Sequence, residues 1–306
     1  MRSIFKVREM LRIYIQLARL ALKALLLNPI LFVKKVALSL KAIFSPVFGY
    51  PLYRNINGII FSLDFKDNSP FDIKRMMYSG TYEMGVAGVL ETFLRKGDTF
   101  IDVGANIGYM TAIGASMVEK SGRVYSFEPV PEYFVKLQKL AELNKSYRIV
   151  ANQFALSDKE GQEKIYLADD SNMGASTILP NLAGDVRVKN YVLIKTCRLD
   201  EYIKKEKIEN IKVIKIDTEG FEYPVLLGLK GFFGKCRDGE VSSFPIIVCE
   251  ICPSACSVLG YKLEDLFAYM RQFGYRPFNI LNYKKEIEID KIKQEEAVNI
   301  IFKVKK

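Results

Sequence analysis

The sequence has no histidine, no tryptophan and only five cysteines in 306 residues. Without imidazole there can be no Ser-His-Asp triad, no Cys-His pair, no histidine general base and no zinc site with imidazole ligands. Proton transfer must fall to Asp, Glu, Lys, Tyr or water. Cys249, Cys252 and Cys256 carry a C-x-x-C-x-x-x-C spacing that would suit an iron-sulfur cluster. Cys249, however, falls inside an apolar strand pattern, and Cys197 and Cys236 are scattered. Buried or loop thiols in a reducing compartment are the expectation, with no metal site.

A long hydrophobic run is also missing from the N-terminal segment. Within residues 1–44 the longest stretch free of charge is 24–33, and spanning a bilayer takes about 18 or more apolar residues. A transmembrane helix is therefore not expected there. Basic residues interrupt the apolar core and no A-x-A-like cleavage site stands out, which disfavours a signal peptide.

The charge that is present is unevenly placed. The net charge is +10, yet residues 1–44 hold nine Lys/Arg and a single acid, Glu9. The remainder of the chain is almost neutral, which argues against a nucleic-acid partner. At 100° per residue, Arg2, Lys6, Arg8, Arg12, Arg19 and Lys23 share one side of a helix, opposite Val7, Met10, Leu11, Tyr14, Leu22 and Leu25. Such a basic amphipathic segment suits an anionic membrane surface, with the protein cytoplasmic and peripheral on that face. The alternative is a helix packed on the catalytic body or on another subunit.

With 49% hydrophobic residues the rest can bury a core. Three regions are expected: the basic segment 1–45, a hairpin with helices over 46–96, and an α/β domain over 97–306 with an insertion at 159–200. Asn57-Gly58 marks the hairpin turn. Helices are predicted over 72–78 and 83–94. From residue 99 short apolar strands alternate with helices. Strands are predicted at 99–103, 123–127, 149–155, 211–216, 246–251 and 297–304; helices at 109–120, 131–144, 221–229 and 263–273. That alternation indicates a doubly wound, mostly parallel sheet. In the insertion, 164–168 and 191–196 read as strands around a Ser/Asn/Gly-rich stretch.

Three strand ends carry candidate chemistry. The first is Phe100-Ile-Asp-Val-Gly-Ala-Asn-Ile-Gly108, a strand running into a glycine turn and a helix, followed by Glu128 at the end of the next strand. Gly104 and Gly108 permit close approach of a ligand, and Glu128 is placed to hold two ribose hydroxyls. Asn106 replaces the middle glycine of G-x-G-x-x-G, and Asp102 would repel a pyrophosphate, which weakens an NAD-dependent dehydrogenase reading. S-adenosylmethionine has no phosphate and carries cationic groups, so the acid helps. The second is Lys215-Ile-Asp-Thr-Glu-Gly-Phe-Glu222, which puts Asp217 and Glu219 on the ligand-binding edge. Those acids can serve an acceptor hydroxyl; alternatively Thr218, Glu219 and Glu222 simply begin a helix. The third is Glu250, ending an apolar strand on the same edge.

In this order the motifs resemble the FkbM family of S-adenosylmethionine-dependent methyltransferases. The matching stretches include Gly80-Thr-Tyr-Glu83, Asp102 to Gly108, Phe127-Glu-Pro129, Asn152 to Asp158, Gly174-Ala-Ser176, Ile214 to Gly220, Glu222 and Cys249-Glu250. The resemblance runs from about residue 80 to 280 and leaves out residues 1–45. It implies a class I methyltransferase (Rossmann-like) sheet of seven strands with the last antiparallel, and O-methylation of a hydroxyl on a sugar, glycan or lipid-linked acceptor. It also implies that Asp102, Gly104 and Asn106 bind the methionine end of the cofactor, with Gly108 among the cofactor-binding residues, Glu128 the ribose, and Ala155 to Asp158 the adenine. Asp217, Glu219 and Glu250 would face the acceptor. A non-catalytic, membrane-associated binding protein on the same fold is the reading from another class.

Overall fold

The computed structural model describes residues 52–63, 77, 80, 82–167, 176–179, 191–240, 244–293 and 296–304. The basic segment 1–45 and nearly all of the helix predicted over 72–78 lie outside these residues. One compact unit comprises Tyr53–Leu63, Asn68–Pro70 and Glu83–Lys306. The other, which includes Met1–Leu52, falls almost wholly outside the described residues.

The described residues open with a hairpin of β1 (Leu52–Ile56) and β2 (Ile59–Leu63), then α1 (Met84–Phe93), β3 (Thr99–Val103) and α2 (Tyr109–Val118). Next come β4 (Arg123–Phe127), α3 (Pro131–Leu143), β5 (Ile149–Asn152), β6 (Ala155–Leu156), β7 (Gly161–Tyr166) and β8 (Tyr191–Cys197). After these follow α4 (Leu199–Lys205), β9 (Ile211–Ile216), α5 (Glu222–Leu227), α6 (Lys230–Arg237) and β10 (Ile246–Ile251). The chain ends with α7 (Pro253–Val258), α8 (Leu263–Gln272), β11 (Tyr275–Asn279), β12 (Asn282–Glu286) and β13 (Val298–Val304).

An eight-stranded sheet has the order β12-β11-β13-β10-β9-β3-β4-β5. Strands β5, β4, β3, β9 and β10 run parallel, and β13 inserts antiparallel between β10 and β11. This is the doubly wound sheet with an antiparallel last strand, extended by the edge strand β12. The central strands β3, β4, β9 and β10 are buried on both faces, which is why they read as apolar runs without alternation. Ile101, Val103, Ile214 and Ile216 join α4, α5, α6 and α8 in one continuous core. On the opposite face Phe100 packs so tightly on α2 that a Cβ at Gly114 would lie 2.2 Å from its ring.

The hairpin turn at Asn57 (φ 48°) and Gly58 (φ 97°) is left-handed at both positions, as a two-residue turn matched to strand twist requires. It is fastened by Asn144, the residue closing α3. Ile60 N–H donates to Asn144 Oδ1 (2.7 Å), and Asn144 Nδ2 donates back to Ile60 O (2.9 Å).

The strand predicted over 149–155 divides. β5 stops at Asn152, whose Oδ1 accepts from Tyr202 Oη (2.8 Å), and Phe154 turns in against Phe127 and Tyr202. Ala155 and Leu156 then pair parallel with β8 in a separate sheet of order β6-β8-β7. The first insertion strand begins at Gly161 rather than 164, because all six residues of β7 find antiparallel partners on β8. The helix predicted over 221–229 is followed at once by a second, α6. No described helix is long and apolar enough to cross a membrane.

Candidate active site

The carboxyl ends of β3, β4, β9 and β10 meet along one edge of the sheet. After β3 the chain turns through Gly104 (φ 72°), Asn106 (φ 51°) and Gly108 (φ 88°) before α2 begins. The N–H groups of Gly104 and Ala105 both donate to Phe127 O at 3.0 Å. Glu128 completes the turn: its Oε2 accepts from Asn106 N–H and its Oε1 from Val130 N–H, each at 2.8 Å. Burial pushes this carboxyl up to about 7 against the opposing pull of those two N–H groups. A carboxylate offers about four acceptor positions, so two remain for ligand hydroxyls.

Asp102 lies beneath the turn, fully buried. Thr111 of α2 donates to its Oδ2 (2.6 Å) and shares a 2.8 Å hydrogen bond with Ser126 of β4. Ala155 is buried in β6, and Asp158 is exposed beside Ser157, whose hydroxyl donates to it at 3.0 Å. The described contacts thus bring Asp102, Gly104, Asn106, Gly108 and Glu128 together, whereas those of Asp158 are local.

After β9 the chain passes through Asp217, Thr218, Glu219 (φ 53°) and Gly220 (φ 102°). A glutamate in the left-handed region costs about 1–3 kcal/mol and must be held there. Two groups hold it. The buried Glu222 Oε1 accepts from Thr218 N–H (3.0 Å), Thr218 Oγ1 (3.1 Å) and Gly220 N–H (3.0 Å), and Thr177 Oγ1 donates to Glu219 O (2.8 Å). The helix-start role therefore describes Glu222, which organises the loop from inside it.

Asp217, Glu219 and Glu250 do converge: one oxygen from each lies within 4.8 Å of the others, and all three residues are half-buried. Carboxylates at that spacing can hold either a cation or a shared proton. Lys215 supplies a positive charge beside them. Its Nζ lies 3.0 Å from Asp217 Oδ2, 3.0 Å from Gly104 O and 3.7 Å from Asp102 Oδ1. Burial alone would lower the lysine pKa, but Asp217 and Asp102 reverse the sign and hold it raised. Glu219 is pushed up to about 8 by burial, with Asp217 and Glu222 adding like charge. Glu250 is raised by burial and then by Asp217 and Glu219.

Lys215 carries no signal in the sequence, since a lysine within an apolar strand reads as solvent-facing. It becomes visible only through register, because Lys215 sits directly beside Asp102 across the β3–β9 pair. Thr111 and Thr177 are equally silent.

The description "Methyltransferase FkbM domain" matches residues 102–277. The chain belongs to the FkbM methyltransferase family. The matched span begins at Asp102 and includes the glycine turn, Glu128, the acid loop and Glu250. The hexuronic acid methyltransferase AglP of Haloferax volcanii is 27% identical over 147 residues, which is 48% of this chain and 56% of that protein. The chain thus spans little more than half the length of that curated relative. Among solved structures, an FkbM methyltransferase from Methylobacillus flagellatus covers 76% of this chain and 54% of its own, with a TM-score of 0.40 and 15% identity. A SAM-dependent O-methyltransferase from Thermotoga maritima covers 84% and 86%, with a TM-score of 0.38 and 13% identity. S-adenosylmethionine is the cofactor of the FkbM methyltransferases, and the cradle fits it. Glu128 keeps two acceptor positions at the next strand end.

Proposed function

We propose that this FkbM protein transfers a methyl group from S-adenosylmethionine to a hydroxyl of a sugar, in a glycan or lipid-linked acceptor. The observation that carries this reading is the convergence of Asp217, Glu219 and Glu250 within 4.8 Å, beside the glycine turn. In the proposal Gly104, Asn106 and Gly108 line the methionine end of the cofactor and Glu128 holds its ribose. Asp102 supports the turn from below through Thr111 and Lys215. Ala155 and Asp158 are proposed to border the adenine, on the strength of the family pattern.

When bound, the cofactor supplies an electrophilic methyl group. The protein supplies position and a proton acceptor. Holding the reacting atoms about 3–3.5 Å apart recovers much of the barrier. A sugar hydroxyl is a weak nucleophile at neutral pH, so a carboxylate that takes its proton as the bond forms adds to the rate. Such a base works best when its pKa lies near the working pH, which suits Glu219 at about 8. Asp217 is engaged by Lys215, leaving Glu219 and Glu250 to share one proton between like charges. A hydroxyl fits this surrounding better than a carboxylate acceptor, which three acids would repel.

The name of the relative AglP identifies a hexuronic acid, and sugar methylation here follows that lead. The test is transfer of labelled methyl from S-adenosylmethionine into glycan and lipid fractions from cells lacking the gene. Wild type should label a sugar-containing product, and Glu219→Gln should not. Equal labelling by the two would sink the base assignment. Residues 1–44 are proposed to place the enzyme on the cytoplasmic face of an anionic membrane, supported by their excess of basic residues. Liposome sedimentation with and without that segment tests this, and equal binding removes it.

A further inference from the structure

Strand β9 is apolar except for Lys212 and Lys215, and Lys215 is the buried one, its side chain only 5% exposed. A buried ammonium is tolerated only when its charge and its N–H donors are met. Here they are met by three oxygens from two segments, the β3 strand end with its turn and the loop after β9. Gly104 O, at 3.0 Å, belongs to the turn assigned to the methyl donor. Asp217 Oδ2, also at 3.0 Å, belongs to the loop assigned to the acceptor. Asp102 Oδ1, at 3.7 Å, lies underneath both. The same two segments touch backbone to backbone. A Cβ on Gly104 would sit 1.8 Å from Asp217 O, and Asp217 N–H donates to Val103 O at 3.2 Å.

We propose that Lys215 is a positioning residue, a single ammonium that clamps the donor turn to the acceptor loop and so sets the separation of the reacting groups. The proposal rests on the reading that residues 104–108 hold the donor and 217–219 the acceptor. The charges around the clamp are Asp102, Asp217 and Glu83, with Glu219, Glu222 and Glu250 beyond Asp217 and Glu128 beyond Asp102. A lysine needed only to cancel Asp102 would be dispensable once that acid was neutral. A clamp would not be, because it also bonds Gly104 O and Asp217.

The experiment is calorimetry of S-adenosylhomocysteine binding to the full chain. Lys215→Met should weaken binding by about tenfold to a hundredfold, on the scale that small misplacements cost a reacting site. Lys215→Arg, which restores the charge, should recover part of that loss. The charge-balanced pair Asp102→Asn with Lys215→Met should stay as weak as Lys215→Met alone. Wild-type affinity in Lys215→Met, or full recovery in the balanced pair, overturns the clamp. Should Lys215→Met fail to fold, ¹⁵N-lysine spectra of the wild type decide. The buried ammonium, assigned by its disappearance in Lys215→Arg, should shift when S-adenosylhomocysteine binds and exchange faster in Asp217→Asn. A signal indifferent to both overturns the clamp. A wild-type protein that binds no S-adenosylhomocysteine overturns the donor assignment and the clamp together, whereas binding with indifferent variants overturns the clamp alone.

Discussion

The loops that follow β3 and β9 leave neighbouring strands at the same edge, yet they treat their acids in opposite ways. Around the turn that follows β3, Asp102 and Glu128 are both buried and held from inside the protein: Thr111 bonds Asp102 Oδ2, Lys215 lies 3.7 Å from Oδ1, which makes no hydrogen bond, and two backbone N–H groups bond Glu128. After β9, Glu222 is answered in the same manner, but the Glu219 and Glu250 carboxylates make no hydrogen bond or ion pair among the described residues, and Lys215 acts on Glu219 only from a distance. The first loop is a cradle held by internal contacts. The second is a cradle around unfinished business, with acids left to interact with one another and with what enters. Satisfied groups hold geometry, and unsatisfied ones keep reactivity, which is the division of labour a group-transfer site needs.

The sharpest way to break this contrast is Gly104→Ala. The left-handed φ of 72° and the 1.8 Å approach to Asp217 O leave no room for a side chain. Strain and overpacking together should cost about 2–5 kcal/mol, read as a lower thermal midpoint and as loss of S-adenosylhomocysteine binding. An alanine variant with wild-type affinity would mean that the two loops are not interlocked.

Glu219→Gln separates reactivity from structure. Activity should fall by about 10²–10⁴, the usual range for a lost general base, with the cofactor still bound. The wild-type rate should rise with pH through about 8 as Glu219 ionises, and the variant should lose that limb. Stability should move the other way. A glutamate whose folded pKa is raised binds more protons folded than unfolded, so it removes stability as pH climbs from about 4.5 toward 8. Glu219→Gln should therefore melt higher than wild type at pH 8, with a smaller difference near pH 5. Equal melting at both would show that the carboxyl is not desolvated.

Glu222→Ala attacks the organised part of the same loop. It orphans Thr218 N–H, Thr218 Oγ1 and Gly220 N–H at a buried site, which should cost about 1–3 kcal/mol. Here, unlike Glu219→Gln, stability and activity should fall together, as measured by chemical denaturation and methyl transfer.

Much of this sheet is legible in the sequence, for a physical reason. Parallel strands covered on both faces must be continuously apolar, and glycines must mark the points where backbone passes close to backbone, as at Gly104, or close to buried side chains, as at Gly108 against Leu137 and Leu140. The convergence of Asp217, Glu219 and Glu250 follows from their common place at strand ends. What stays hidden depends on pairing between distant residues. Lys215 meets Asp102 only through strand register, and Glu222 turns inward through bonds to its own loop. The break after Asn152 depends on Tyr202, 50 residues away. The six-residue α7 and the β11–β12 hairpin have too little periodicity to announce themselves.

The smallest expected effect tests how far the insertion takes part. Thr177 pairs with Tyr166 through backbone N–H and C=O in both directions (2.8 and 3.1 Å), and its hydroxyl donates to Glu219 O. It therefore ties the β6-β8-β7 sheet to the left-handed glutamate. Thr177→Val keeps the backbone bridge but removes that hydroxyl, which also accepts from Leu179 N–H (3.1 Å), costing about 1–3 kcal/mol. Since Glu219 is the strained residue, the loss should appear as a several-fold lower turnover with unchanged affinity for S-adenosylhomocysteine. The donor cradle does not touch Thr177, so weaker cofactor binding in this variant would show that the two loops are coupled more widely than through Lys215.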